Sequence, residues 1–179
     1  MSRLHDGHLA AIKGPLRPYA RLLLALDTAA GWTIVLLLTT MVAVVAVQVL
    51  LRYATNTSFG WADELSRLTF VWSIFLAIPL GIRAGVHIGM EILTSRFSAR
   101  VQRALARLMA VIAAGLMVLV AWQSAVVAFD QWDEKMASME SSAAWFIVAV
   151  ALGCAHSALH LVLIAFDGPP QGKTLVATE

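Results

Sequence analysis

Charged side chains are confined to a few short stretches of this chain, and the long runs between them carry none. Thr28 to Leu51 is 24 residues without a charge, Leu68 to Ile82 is 15, and Leu108 to Phe129 is 22. Ser141 to Phe166 also lacks Asp, Glu, Lys and Arg, although it holds His156 and His160. A soluble domain spreads charge over every surface element. A membrane helix must push it to its ends, because a charge at the bilayer centre costs at least about 2.5–3.5 kcal/mol. Composition agrees: 60% of residues are hydrophobic and 13% charged, against about 45–50% and 25% in soluble domains. The mean hydropathy is +0.78. The expected fold class is therefore an all-α integral membrane protein with four transmembrane helices.

The spans are expected at about 28–51, 61–85, 108–129 and 141–166, together one transmembrane domain over 28–166. Residues 1–27 form a basic N-terminal segment with Arg3, Lys13, Arg17 and Arg21, and residues 167–179 a short polar tail. A cleaved secretory leader has an apolar stretch of about 7–15 residues with small residues close behind. The first run here is longer and ends in Gln48-Val-Leu-Leu51, so it is expected to stay as the first helix. Asp63 and Glu64 suit the first turn of the second, where the helix dipole is positive. Pro79 is expected to kink that helix, and Gly81, Gly85 and Gly89 recur four apart. Such spacing either lets two helices approach closely or frays the helix end.

Between Glu91 and Arg107 the pattern becomes two-faced. Leu93, Phe97, Val101, Ala104, Leu105 and Leu108 recur at helical spacing, opposite a stripe of Arg96, Arg100, Arg103 and Arg107. An amphipathic interfacial helix over about 91–107 is expected, its cations toward lipid headgroups. A basic stripe can also bind nucleic acid, but one tethered between two spans meets lipid first. With the N-terminus inside, the inner segments hold ten Lys and Arg and the outer ones three: Arg52, Arg67 and Lys135. The positive-inside rule then sets an N-in/C-in topology, with 1–27, the interfacial helix and 167–179 cytoplasmic.

At the outer end, Asp63 and Arg67 are i,i+4 and Glu64 and Arg67 i,i+3, so carboxylate and guanidinium can meet on one helix face. Arg52 can reach the same carboxylates across the hairpin, giving an ion-pair latch, with a docking surface for an external partner as the alternative. His156 and His160, i,i+4 on the fourth span, raise haem or metal ligation. A bis-histidine haem needs a histidine on a facing helix, and the first and third spans have none. Polar packing against a neighbouring helix is expected instead, as for Gln48 and Gln123. A single cysteine, Cys154, rules out an intramolecular disulfide and a zinc site of several thiolates. No acid falls within these four spans, so the usual carboxylate relay for protons or sodium is missing. No inverted repeat and no glycine-rich phosphate loop is present. An enzyme is not expected, nor is a cofactor or metal; an accessory membrane subunit is.

The stretch from Arg52 to Glu91 resembles the small membrane (Q-type) subunit of TRAP transporters, the tripartite ATP-independent periplasmic family. The resemblance rests on Arg52-Tyr53 ending the first helix, then Asn56, Trp61, the acidic pair Asp63-Glu64, and Arg67. After the apolar run come Arg83, His87-Ile88 and Glu91. It implies a bacterial inner-membrane protein without catalytic residues of its own. Its implied partners are a large elevator-type membrane subunit, which holds the sodium and substrate sites, and a periplasmic substrate-binding protein. The small subunit would enlarge the static scaffold and help dock the binding protein during sodium-driven symport of an organic acid. Membrane lipids complete the expected partners, and nucleic acid is not among them. The competing reading is a four-helix membrane anchor of the cytochrome b type. A small multidrug exporter acting alone would need an intramembrane carboxylate that the spans lack.

Overall fold

A computed structural model describes residues 17–57, 59–83 and 99–167. They form four helices, α1 (Arg17–Thr55), α2 (Gly60–Arg83), α3 (Ala99–Asp130) and α4 (Ala144–Asp167). Each is long and apolar enough to cross a membrane. Among the described residues no strand forms, only one isolated bridge between Lys135 and Ser142. His87, Glu91, Arg96, Gly85, Gly89 and most of the terminal segments lie outside the described residues.

Two boundaries differ from expectation. First, α1 does not begin at Thr28 but at Arg17, with Pro18 in its first turn, where a missing N–H is harmless. At 39 residues it is about 58 Å long, against a hydrocarbon core of about 30 Å, so it projects beyond the apolar slab. Second, residues 99–107 are the opening turns of α3, continuous with the third span. In this structure they are part of α3 and not a separate helix. Residues 91–98 of that expected element lie outside the described residues.

The α1–α2 hairpin closes tightly. Thr55 donates its hydroxyl to the Leu51 carbonyl, and Asn56 takes a positive φ of 56°. That left-handed conformation ends a helix, and asparagine tolerates it better than other side chains except glycine. The α3–α4 connection is also ordered by its own backbone: Met136 donates to Ser141 at 2.9 Å and Ala143 to Glu134 at 2.8 Å. Ser142 Oγ then accepts from Ala144 N at 3.1 Å and caps α4.

Packing runs α1 on α2, α2 on α4 and α3 on α4. Half of the most apolar stretch of α4 is buried and none of that of α1, so α4 is the central helix. Ile82, Ala114 and Leu161 bring α2, α3 and α4 together. Ala20, Leu23 and Leu163 join the first turns of α1 to the last turns of α4. The interfaces are built from small side chains such as Ala149, Ala158, Ser73 and Ser157, the usual means of helix association in lipid. The closest approach is at Gly153, where an added Cβ would stand 2.5 Å from the Phe75 carbonyl oxygen. Gly81 has open space around it and makes no such approach within the chain. Pro79 lies buried within an uninterrupted α2.

Candidate functional site

Polar side chains gather at the two ends of the bundle. One end collects the first turns of α1, the last residue of α2 and the second half of α4. Ala20, Leu23, Asp27 and Ala30 follow one another at helical spacing, and all four are buried. Asp27 is thus a member of an inward face, 3% exposed, and not the end of a surface lead-in. Asp27, placed by the sequence in the lead-in before the first span, lies inside α1, which begins ten residues earlier.

Three side chains converge on that carboxylate. Arg83 Nη1 donates to Asp27 Oδ2 at 2.8 Å. His160 Nε2 stands 2.8 Å from Oδ1 and His156 Nε2 3.1 Å from the same oxygen. The imidazole rings lie 5.2 Å apart, tilted by 39°. Of the two, only His160 is aligned for a hydrogen bond; His156 Nε2 is buried without one. One helical turn separates the histidines, so both project from one face of α4. The polar packing expected of them is present, and its partner is the acid that the sequence reading left outside the helix. Tyr19 adds a hydrogen bond from its hydroxyl to the Leu159 carbonyl, 2.7 Å. Burying a carboxylate is tolerable only when charge and lone pairs are matched, and here three side chains from α2 and α4 surround it.

The opposite end holds Arg52, Tyr53, Asn56, Trp61, Asp63, Glu64 and Arg67. These residues lie close together, but the four charges do not pair with one another among the described residues. Asp63 Oδ1 accepts from Gln48 Nε2 on α1 at 3.1 Å. Glu64 Oε2 accepts from the backbone N–H of Ser138 at 2.9 Å. Arg67 places its guanidinium carbon 5.9 Å from the centre of the Phe146 ring. Successive helix residues point about 100° apart, so Asp63 meets α1 and Glu64 the α3–α4 loop. The expected latch is therefore replaced by three separate ties, which fasten the hairpin to the loop and to α4 as well as to itself. Trp72, Trp132 and Trp145 pack as a line behind them, with centroids 6.3 Å and 5.8 Å apart. Trp72 Nε1 donates to the Trp145 carbonyl at 3.1 Å. Arg52 and Tyr53 are exposed, Tyr53 to 87%. Gln123 is exposed and has no hydrogen bond among the described residues.

Arg107 is exposed on α3, and Arg100 and Arg103 belong to the same helix. His87, Glu91 and Arg96, also singled out by the sequence, lie outside the described residues.

Comparison with known proteins points the same way as this architecture. Residues 41–168 match the family described as tripartite ATP-independent periplasmic transporters, DctQ component. A shorter segment is similar to the C4-dicarboxylate TRAP transporter small permease protein DctQ of Pseudomonas aeruginosa, 40% identical over 45 residues. That segment is 25% of this chain and spans 21% of the relative's length. With a match over most of its length and four helices suited to membrane crossing, the chain belongs to the DctQ family, the small permease component of TRAP transporters.

Proposed function

We propose that this chain is the static small subunit of a sodium-driven uptake system for an organic acid in the bacterial inner membrane. It would pack beside a large membrane subunit and help seat a periplasmic binding protein. Family membership and the printed name of the Pseudomonas relative, a C4-dicarboxylate transporter component, support the substrate class. The observation that carries the accessory role is the apolar exterior of α1 and α3. Leu36, Val42, Leu50, Leu116, Leu119 and Trp122 are all exposed on the isolated chain, which gives it broad surface for lipid and for a second membrane protein. Affinity purification of the tagged chain from native membranes should recover a large permease subunit in equal amount. Recovery of the chain alone or only as a self-assembly would overturn the proposal.

The proposed topology is N-in/C-in, supported by the ten-to-three distribution of Lys and Arg. It puts the Asp27 cluster at the cytoplasmic side and Arg52, Tyr53, Asn56, Trp61, Asp63, Glu64 and Arg67 at the periplasmic side. On this reading Asp63, Glu64 and Arg67 hold the outer end together, while exposed Arg52 and Tyr53 are free to meet the binding protein. Arg83, His87 and Glu91 would form the cytoplasmic-side motif, and Arg96, Arg100, Arg103 and Arg107 would face lipid headgroups. A cysteine placed at Lys135, on the exposed α3–α4 loop, should react with an impermeant thiol reagent in intact spheroplasts. The native Cys154 is buried and should stay silent. Labelling at 135 only after the membrane is opened would reverse the topology.

A further inference from the structure

We propose that Asp27 Oδ1, His156 Nε2 and His160 Nε2 form a site for a dication of the zinc type, which clamps α1 to α4. The inference stands on the arrangement of these atoms and does not depend on the transport role. All three donor atoms lie within 4.8 Å of one another. Both imidazole nitrogens address one carboxylate oxygen, at 2.8 and 3.1 Å.

Simple charge matching accounts for only part of that convergence. Arg83 already supplies a full positive charge to the other oxygen, Oδ2. His160 is aligned to give one histidine N–H to Oδ1. His156 approaches the same oxygen at 3.1 Å with a side chain 10% exposed, but its Nε2 is buried without an aligned hydrogen bond. A buried polar atom without a hydrogen bond is costly, and a cation between the three donors would give it a ligand bond instead.

The geometry is close to what such an ion needs. Zinc binds imidazole nitrogen at about 2.0–2.1 Å and carboxylate oxygen at about 2.0–2.2 Å, so tetrahedral neighbours stand about 3.3 Å apart. The two nitrogen–oxygen separations are a few tenths of an ångström shorter, within reach of small side-chain rotations. Two histidines one turn apart on a helix with a third donor from elsewhere is a frequent zinc arrangement. Imidazole favours zinc, cobalt or nickel, whereas magnesium and calcium prefer all-oxygen shells. Arg83 on the outer carboxylate oxygen would act as an orienting partner. The site joins two helices with few backbone contacts between them, so its effect would be mechanical.

The full chain should be purified in lipid nanodiscs without a polyhistidine tag, stripped with chelator, and titrated with zinc chloride by calorimetry. One zinc per chain is expected, together with a raised melting temperature. His156→Ala and His160→Ala should each weaken binding by more than the 10–100-fold typical of losing an orienting neighbour. Because these variants can fold poorly, cobalt chloride added to the unaltered chain gives an independent reading: visible bands of a low-coordinate site are expected. An octahedral cobalt spectrum, no stoichiometric uptake, or undiminished zinc binding in the double variant would each overturn the site.

Discussion

Arg83→Ala is expected to destabilise the folded chain by about 3–5 kcal/mol, the range found when one partner of a buried ion pair is removed. Asp27 has a side chain 1% exposed and Arg83 one of 16%. Without the guanidinium the carboxylate cannot return to water, because Asp27 continues the buried face of Ala20, Leu23 and Ala30 on α1. Asp27→Asn should cost less, since the amide still accepts and donates and Arg83 is nearer the surface. The double variant Asp27→Asn/Arg83→Ala should be more stable than Arg83→Ala alone. Coupling of this kind is what a double-mutant cycle isolates for residues in direct contact. Thermal melting of all four proteins in the same nanodiscs provides the measurement. Melting of Arg83→Ala at the parent temperature, or strictly additive losses, would show that the pair does not hold the helices together.

The spans were legible because the bilayer imposes a one-dimensional rule, in which charges must leave about 30 Å of helix. That rule sees only whether a residue is charged, and it misplaced Asp27 for this reason. It ended the apolar run at the first acid, although the chain remains apolar on one face for two turns further back. The face Ala20, Leu23, Asp27, Ala30 was available in the sequence as an i, i+3, i+7, i+10 pattern. So were two histidines on one face of the last span, waiting for an anionic partner. What could not be read was their convergence, which depends on α1 and α4 meeting at one end of the bundle.

At the other end the sequence indicated the right residues and the wrong pairing. Spacing on a single helix makes Asp63, Glu64 and Arg67 mutual candidates. Tertiary neighbours compete for the same groups, and here a glutamine, a backbone amide and an aromatic ring won. Exposed i,i+3 and i,i+4 pairs contribute only about 0.3–0.5 kcal/mol, so a modest external contact is enough to displace them. Likewise the glycine spacing on the second span suggested a close contact, but glycines show only where an approach is permitted. The partner backbone decides which one is used.

Gly153→Leu should prevent the bundle from packing, the largest effect of any single change considered. A Cβ at this position would lie 2.5 Å from the Phe75 carbonyl oxygen, 2.8 Å from its Cβ and 2.9 Å from its carbonyl carbon. Carbon contacts are favourable only from about 3.5 Å, so α2 and α4 must move apart by roughly 1 Å even for alanine. The obstructing atoms belong mainly to backbone and cannot rotate away. Separation of these helices would open the Ile82–Ala114–Leu161 contact and lengthen the Trp72–Trp145 hydrogen bond at 3.1 Å. Overpacking costs about 1–3 kcal/mol for an added methylene or two, which for Gly153→Ala outweighs a helix-propensity gain of up to about 1 kcal/mol. Leucine adds three further carbons to the same clash. Gly81→Ala is the matched control: nothing lies within 4 Å of its added carbon, so it should be neutral or slightly stabilising. Both substitutions raise hydrophobicity, so neither should impair membrane insertion, and the comparison isolates packing. Size-exclusion profiles and melting temperatures in mild detergent should show Gly81→Ala like the parent and Gly153→Leu aggregated or unfolded. A Gly153→Leu protein that elutes and melts like the parent would mean that α2 and α4 do not meet at this point.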